Sequence, residues 1–314
     1  MDKSATVYVA GHTGLVGSAI VRQLVQQGYT NLVLKLHKDL DLRNQAATEQ
    51  FFSEHKPEFV FAAAAKVGGI EANRTLTAEF IYDNIQIQNN IIHFSWKYGV
   101  KKLLFLSSNC VYPKTCPQPM REEYLMAGPV EPTNEPYAIA KIAGMKMCQA
   151  YNNQHGTKFI SVMPASLYGP NDNFNHFSSH FVAALIRKFH EAKIKNSDEV
   201  ILWGTGAPRR EIMHVDDAAR ACLHLMNCYG SSEPINVGCG TDIAIKELAL
   251  LISRIAGFKG NILFDTSKPD GVAQKLLDSG KMCALGWQPQ TNLDDGLKET
   301  YNWYVKNESL LKVT

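Results

Sequence analysis

The segment that decides the fold is TVYVAGHTGLVG, residues 6–17. Thr6–Ala10 is a short run rich in β-branched residues and predicts a strand, whereas Leu15–Gln27 has the apolar spacing of a helix. The glycines of Gly11–Gly17 permit positive φ and close backbone approach, and the N-terminus of the helix offers free N–H donors to a phosphate. A Gly-x-x-Gly-x-x-Gly spacing also occurs in simple tight turns, but its position between a strand and a helix favours a dinucleotide-binding loop.

Strands and helices alternate along the first 165 residues. Further strands are predicted at Asn31–Leu34, Phe59–Ala62, Lys102–Leu106 and Lys158–Met163, and helices at Asn44–His55, Ala78–Tyr98 and Pro136–Gln154. Strict alternation implies right-handed crossovers and an α/β fold with a Rossmann-type, doubly wound parallel sheet. We expect residues 1–170 to form this coenzyme-binding domain.

After Pro170 the alternation loosens. Helical patterns occur at Phe181–Ala192, Asp216–Asn227, Ile245–Ala256 and Leu293–Val305. Residues 171–314 are therefore predicted to form a smaller, mixed α/β substrate-binding lobe, with some segments returning to the sheet.

Composition excludes several classes of partner and compartment. A net charge of +2, without a long basic run, gives no reason to expect nucleic-acid binding. No apolar stretch reaches the roughly 18 residues that span a bilayer, and the first residues lack the layout of a signal peptide. Seven scattered cysteines without a Cys-x-x-Cys pair favour reduced thiols over disulfides or a metal site. We therefore expect a cytoplasmic protein that binds neither membrane nor metal.

The residues after the second strand bear on the choice of coenzyme. An acid at this point typically binds the ribose 2′-hydroxyl of NAD, whereas a cation accommodates the 2′-phosphate of NADP. Here Lys35, His37 and Lys38 precede the acids Asp39 and Asp41. The order favours NADP, and the alternative is a solvated charged turn.

Tyr137 and Lys141 stand four residues apart in a predicted helix and therefore share one face. A nearby ammonium stabilises a phenolate, so we expect it to lower the pKa of the tyrosine towards the range useful for proton transfer. Ser108 follows the fourth strand, at the sheet edge where ligands bind in open parallel sheets. Its hydroxyl can hydrogen-bond a substrate carbonyl beside the tyrosine.

Longer segments accompany these residues: Gly11–Ile20, Ala63–Ile70, Ser108–Pro113, Glu131–Lys141, Leu167–Pro170, His214–Asp217 and Lys268–Gly271. With them, nearly the whole chain resembles the extended short-chain dehydrogenases/reductases. Within that family it is similar to the bifunctional epimerase-reductases that use NADPH and act on a GDP-4-keto-6-deoxy sugar.

The resemblance implies a role for each residue of the site. Cys110 matches the base and His180 the acid of epimerisation at C-3 and C-5, where the ketone acidifies the flanking carbons. Tyr137 matches the acid that protonates the C-4 oxygen, Ser108 binds that oxygen, and Lys141 also holds the nicotinamide ribose. The implied substrate is GDP-4-keto-6-deoxy-D-mannose, and the implied assembly is a homodimer formed through the long helices that flank the sheet.

The same resemblance implies two sets of contacts. Those to NADP(H) are Gly11, His12, Thr13, Gly14, Leu15, Val16, Gly17, His37, Lys38, Asp39, Leu40, Asp41, Leu42, Leu106, Ser107, Ser108, Asn109, Lys141, Pro164, Ala165, Ser166, Leu167 and His180. Those to the sugar nucleotide are Lys188, Trp203, Arg210 and Asp270. Some family members carry arginine at the positions of Thr13 and His37, so preference for NADPH over NADH is less strictly implied. In the family's Pro-x-Asn-x-Tyr-Gly-Pro segment, the position of the asparagine is Ser166 here, which implies a shorter contact than the usual amide.

Other functions stay open at this point. A related 4-epimerase needs no Cys110/His180 pair, a 4,6-dehydratase would carry an acid beside the serine where Asn109 stands, and a colitose-type epimerase-reductase differs only in a 3-deoxy substrate. A catalytically silent dinucleotide sensor is a further alternative, but such proteins typically lose the tyrosine or the lysine.

Overall fold

The structure is a computed structural model that describes residues 1–268 and 270–311. Its strands are β1 Val7–Ala10, β2 Leu32–Val33, β3 Phe59–Ala62, β4 Lys102–Leu106, β5 Phe159–Pro164, β6 Ser166–Tyr168, β7 Glu199–Trp203, β8 Arg209–Arg210, β9 Ile212–His214, β10 Ile235–Val237, β11 Ile243–Ala244, β12 Asn261–Asp265 and β13 Gln274–Lys275. Its α-helices are α1 Leu15–Gln26, α2 Gln45–His55, α3 Ile70–Thr75, α4 Thr77–Lys97, α5 Glu135–His155, α6 Phe181–Ile194, α7 Val215–Cys228, α8 Ile245–Ala256, α9 Gly280–Ala284 and α10 Leu293–Leu311.

The central sheet is parallel, with six strands in the order β10-β5-β4-β3-β1-β2. The expected doubly wound fold is therefore confirmed. The strand order reverses between the neighbouring strands β1 and β3. The crevice at the carboxyl ends of the strands at such a point is the usual ligand site of these folds. The glycine loop follows β1, and Ser108 follows β4.

Two apolar clusters fill the molecule. One is formed by the central sheet and the helices packed against it, and it includes late residues such as Met213, Ile235 and Leu277. The other is built around α6, α8 and α10, with Phe189 and Leu248 fully buried. The division at residue 170 stays a prediction, and β10 lies in the sheet of the first half although it comes from the second half of the sequence.

Among the described residues, no helix combines the length and apolarity needed to cross a bilayer. Within the same residues, no group of three or more His, Cys, Asp or Glu side chains is arranged to hold a metal ion.

Candidate active site

The glycine loop forms a backbone cradle at the start of α1. The N-cap residue of this helix is Gly14, which has no side chain to accept a hydrogen bond from the helix. The first N–H groups of α1 are therefore available to a ligand. Gly11 has φ +78°, and a Cβ there would lie 2.8 Å from the Cα of Ala64. A Cβ at Gly17 would collide with the carbonyl oxygen of Gly11. Each glycine therefore keeps the loop tight and its N–H groups directed at one place.

Two buried polar atoms near this cradle indicate that a polar ligand belongs there. Across residues 1–268 and 270–311, His12 Nδ1 and Ser107 Oγ find no hydrogen-bond partner. Buried polar atoms are normally paired, and both residues belong to the segments expected to bind NADP(H). The cradle and these atoms fit a dinucleotide, whose pyrophosphate would lie on the N-terminus of α1.

The other expected coenzyme contacts line the ends of neighbouring strands. Leu106 and Ser107 are buried where β4 ends, and Asn109 is buried in the short 3₁₀-helix that follows. Pro164 and Ala165 are buried at the end of β5, whereas Ser166 and Leu167 are half-buried in β6. The expected residues thus lie at one edge of the sheet.

The segment after β2 divides into two kinds of residue. His37, Lys38 and Asp39 are exposed and free to meet a ligand. Leu40 and Leu42 are buried in the main apolar cluster, so their side chains pack in the core.

Asp41 in this segment is held by an arginine. It accepts hydrogen bonds from Arg43, at 3.0 Å from Nε and 2.8 Å from Nη2, which is the main reason that its pKa falls to about 2. The carboxylate therefore stays charged at neutral pH.

Tyr137 and Lys141 lie on one face of α5, as the spacing predicts. Lys141 is buried, and its Nζ donates to the carbonyl oxygen of Leu106 over 2.8 Å and lies 5.8 Å from the centroid of the Tyr137 ring. The lysine therefore ties α5 to the end of β4. Burial lowers the pKa of Lys141 to about 8.

The pKa of Tyr137 differs from the expectation. Burial raises it above the ordinary tyrosine value, the nearby Cys110 thiol raises it further, and a hydrogen bond with Ser108 lowers it. The expected fall in the pKa of Tyr137 is therefore wrong for the protein alone. Desolvation of the phenol outweighs the effect of the Lys141 ammonium, because that ammonium bonds to the Leu106 carbonyl oxygen instead. Tyr137 keeps its proton at neutral pH, as a proton donor must.

Ser108, Cys110 and Arg210 complete the cluster around the phenol. The Ser108 Oγ accepts from the backbone N–H of Cys110 at 3.2 Å and caps the 3₁₀-helix Asn109–Val111. The Cys110 thiol is half-buried and lies close enough to influence both Tyr137 and Arg210 electrostatically. Burial lowers the pKa of Arg210, but the guanidinium stays charged. The Cys110 thiol therefore has a phenol and a cation as neighbours.

His180 lies at the N-terminus of α6, on a loop held against the segment that follows β3. Gly69 donates its N–H to the carbonyl oxygen of Ser178 at 2.9 Å, and a Cβ at Gly69 would collide with the carbonyl oxygen of Ser179. The imidazole reaches solvent on one side, but the protein around it lowers its pKa by desolvation. A lower pKa makes the protonated imidazole a stronger acid.

The expected sugar-nucleotide residues differ in exposure and in their partners. Trp203 is 66% exposed at the end of β7, so it does not fill the core. Asp270 accepts from the backbone N–H of Thr205 at 2.9 Å and from its hydroxyl at 2.6 Å. Lys188 on α6 is half-buried, and within the described part of the chain it has neither a hydrogen bond nor an ion pair. The carboxylate of Asp270 is an electrostatic neighbour of Arg210 and lies against Gly204, next to Trp203.

Phe80 and Asn84 on α4 were not anticipated. The Phe80 ring packs edge-on against Tyr137, with centroids 6.3 Å apart, and its Cζ lies 3.2 Å from where a Cβ of Gly68 would stand. Asn84 accepts from the backbone N–H of Lys66 at 3.0 Å and donates to its carbonyl oxygen at 2.9 Å. Both residues fix the segment after β3, and a single sequence gives no sign that they face it.

A comparison with known proteins shows the family of this chain. The model of the NAD dependent epimerase/dehydratase family matches residues 7–238. The chain belongs to this family, which confirms the class inferred from its motifs.

The relatives narrow the class further. A putative GDP-L-fucose synthase 2 of Arabidopsis thaliana is 58% identical over 98% of this chain and 94% of its own length. The GDP-L-fucose synthase of Escherichia coli (strain K12) is 50% identical over 96% of this chain and 97% of its own. Among solved structures, a GDP-L-fucose synthetase from Naegleria fowleri bound to NADP is 32% identical, with a TM-score of 0.91 and coverage of 98% of this chain and 96% of that one.

Proposed function

We propose that the protein is a GDP-L-fucose synthase, which epimerises GDP-4-keto-6-deoxy-D-mannose at C-3 and C-5 and reduces C-4 with NADPH. The observation that carries this function is that the Cys110 thiol, which follows the carboxyl end of β4, has both the Tyr137 phenol and the Arg210 guanidinium as electrostatic neighbours. The identity to GDP-L-fucose synthases over nearly the full length supports the same substrate and coenzyme.

In the epimerisation, Cys110 removes the proton from the carbon beside the ketone. The negative charge is delocalised onto the C-4 oxygen, towards the hydroxyls of Ser108 and Tyr137. His180 then returns a proton to the opposite face, which inverts the centre. The base and the acid would thus come from different elements, the 3₁₀-helix after β4 and the N-terminus of α6.

In the reduction, Tyr137 gives its proton to the C-4 oxygen. NADPH, when bound, supplies the hydride to C-4. Lys141 holds the end of β4 through Leu106 and keeps a positive charge near the phenol as the tyrosine loses its proton. Ser108 orients the ketone through the same hydroxyl that hydrogen-bonds Tyr137.

Lys188 and Arg210 bind the diphosphate, Trp203 provides a stacking surface, and Asp270 accepts from hydroxyl groups. Gly11–Gly17 and the strand ends described above would hold the coenzyme. These assignments are supported by the exposure of Trp203 and by the half-buried positions of the two cations, Lys188 and Arg210.

Product analysis tests the function. With the keto sugar and NADPH, the protein should consume one NADPH per sugar and form GDP-L-fucose, identified by chromatography and NMR. Failure to consume NADPH, or release of only the unepimerised C-4 alcohol, would contradict it. Competition between GDP-4-keto-6-deoxymannose and its 3-deoxy counterpart separates this function from colitose-type synthesis.

We expect Cys110→Ser to impair proton exchange far more than reduction. A serine hydroxyl is a much weaker acid than a thiol, so little of it is ionised to act as a base at neutral pH. Deuterium incorporation at C-3 and C-5 from heavy water, with NADP⁺ in place of NADPH, should slow by roughly 10²–10⁴-fold. Reduction of an already epimerised ketone should continue, and unchanged incorporation would remove Cys110 from the role of base.

We also propose a cytoplasmic homodimer. Tyr82 on α4 is 62% exposed and Ile139 on α5 is 42% exposed. Contact between these helices of two copies would cover both side chains. The seven cysteines, all of them within the described residues, are free thiols, which supports a reducing compartment. Sedimentation equilibrium would test the dimer.

A further inference from the structure

The geometry points to Asp83 as a positioning residue that couples the coenzyme loop after β2 to the acid of the epimerisation. This inference rests on the proposed function. Asp83 lies on α4, is only 8% exposed, and is not among the residues expected to touch coenzyme or substrate.

Its two carboxylate oxygens bind two different loops. Oδ1 accepts from Arg43 Nη1 at 3.2 Å, and Arg43 also holds Asp41 in the coenzyme loop. Oδ2 accepts from Lys66 Nζ at 3.2 Å, in the segment that follows β3. One buried carboxylate therefore joins the two loops, and a pair of charge-assisted hydrogen bonds fixes the separation between them.

The segment after β3 continues this link towards the reacting groups. Ala64 lies against Gly11 in the glycine loop, whereas Gly68 lies against Phe80, the neighbour of Tyr137. Gly69 then holds the loop that ends in His180. A change at Asp41 or Arg43 on coenzyme binding is therefore transmitted through Asp83 and Lys66 to the position of His180.

Asp83→Asn keeps the shape but removes the charge, and Glu79→Gln is its matched control. Glu79 is also on α4 and pairs with Lys66, but it makes no contact with Arg43 among the described residues. In fluorescence titrations of the full chain, Asp83→Asn should raise the Kd for NADPH by roughly 5- to 30-fold. Glu79→Gln should leave that Kd within about twofold of the wild type, as expected for an exposed ion pair.

The coupling itself is read from deuterium incorporation. Saturating NADP⁺, which cannot deliver hydride, should accelerate incorporation at C-3 and C-5 in the wild type and have no effect in Asp83→Asn. Asp83→Glu should restore part of the acceleration because it restores the charge. Should Asp83→Asn fail to fold, Arg43→Met severs the same link at an exposed residue and should abolish the same acceleration.

Equal acceleration by NADP⁺ in the wild type and Asp83→Asn, with equal Kd values for NADPH, would overturn the inference. Failure of the proposed function can be told apart from failure of this inference. The comparison of NADPH affinity between Asp83→Asn and Glu79→Gln needs no sugar substrate.

Discussion

Lys141 is 3% exposed, and its ammonium bonds to the Leu106 carbonyl oxygen instead of the phenol of Tyr137. Burial therefore acts on the two groups in opposite senses, lowering the pKa of the lysine and raising that of the tyrosine. Both shifts disfavour the charged form. The lysine, not the tyrosine, thus changes its protonation closest to physiological pH.

The protonation of Lys141 sets the upper pH limit of the reduction. Lys141 loses its proton as pH rises through about 8, so the positive charge near Tyr137 is present below that pH and lost above it. We expect kcat/KM for reduction to fall above pH of about 8. Lys141→Arg should move this limit upward, because arginine stays charged at every accessible pH. A limit that does not move in Lys141→Arg would assign it to another group.

At the scale of elements, the site depends on how closely α5 approaches the sheet and α4. Gly144 lies on the buried side of α5, where a Cβ would collide with the Phe105 ring and stand 2.8 Å from Gln88 Oε1. Gln88 in turn donates to the carbonyl oxygen of Ala140 at 2.7 Å. This packing sets the depth of the helix that carries Tyr137 and Lys141.

Gly144→Ala should therefore destabilise the fold although alanine favours helices. The added methyl group has no free volume, and overpacking of this kind costs about 1–3 kcal/mol, more than the gain in helix propensity of roughly 0.8–1.0 kcal/mol. Denaturant unfolding should show a lower midpoint. Gly230→Ala is the control, because nothing lies within 4 Å of its Cβ position and its φ lies outside the left-handed region. A stabilised Gly144→Ala would show that α5 can move outward.

The bounds of the strands and helices in the first half of the sequence could be predicted within about two residues, because the alternation of strand and helix patterns leaves few other places for them to begin and end. β3 and β4 have the predicted bounds, and α5 differs by one residue at each end. α3 was missed because Ile70–Thr75 is too short to show a helical period. The side-chain partners of Asp83 and the burial of Tyr137 depend on contacts between distant residues, which spacing along one sequence does not report.

At the scale of the whole molecule, Asn236 on β10 joins three separate segments. It is fully buried, accepts from the Tyr112 hydroxyl at 2.7 Å, and donates to the carbonyl oxygens of Met120 at 2.9 Å and Asp278 at 3.1 Å. Its own N–H donates to Glu122 Oε1 at 3.1 Å. The late strand is thereby fixed to the loop that follows Cys110.

Asn236→Ala should lower the free energy of unfolding by about 2–4 kcal/mol, because each buried polar group left without a partner costs roughly 1–3 kcal/mol. Asn307→Ala, which removes one half-buried bond to Trp303 on α10, should cost under about 1 kcal/mol. Equal losses from both variants, measured by urea unfolding, would contradict a central role for Asn236.

The late position of β10 also matters while the chain is being made. Until the ribosome has delivered Ile235–Val237, β5 presents a row of unpaired N–H and C=O groups, although the glycine loop and Tyr137 have long been synthesised. Such a row can pair with another nascent polypeptide. Interrupted translation before residue 235 would therefore release a fragment that aggregates through the unpaired edge of β5. In the finished protein the three residues of β10 pair with that edge, and Glu122 accepts the N–H of Asn236 on β10.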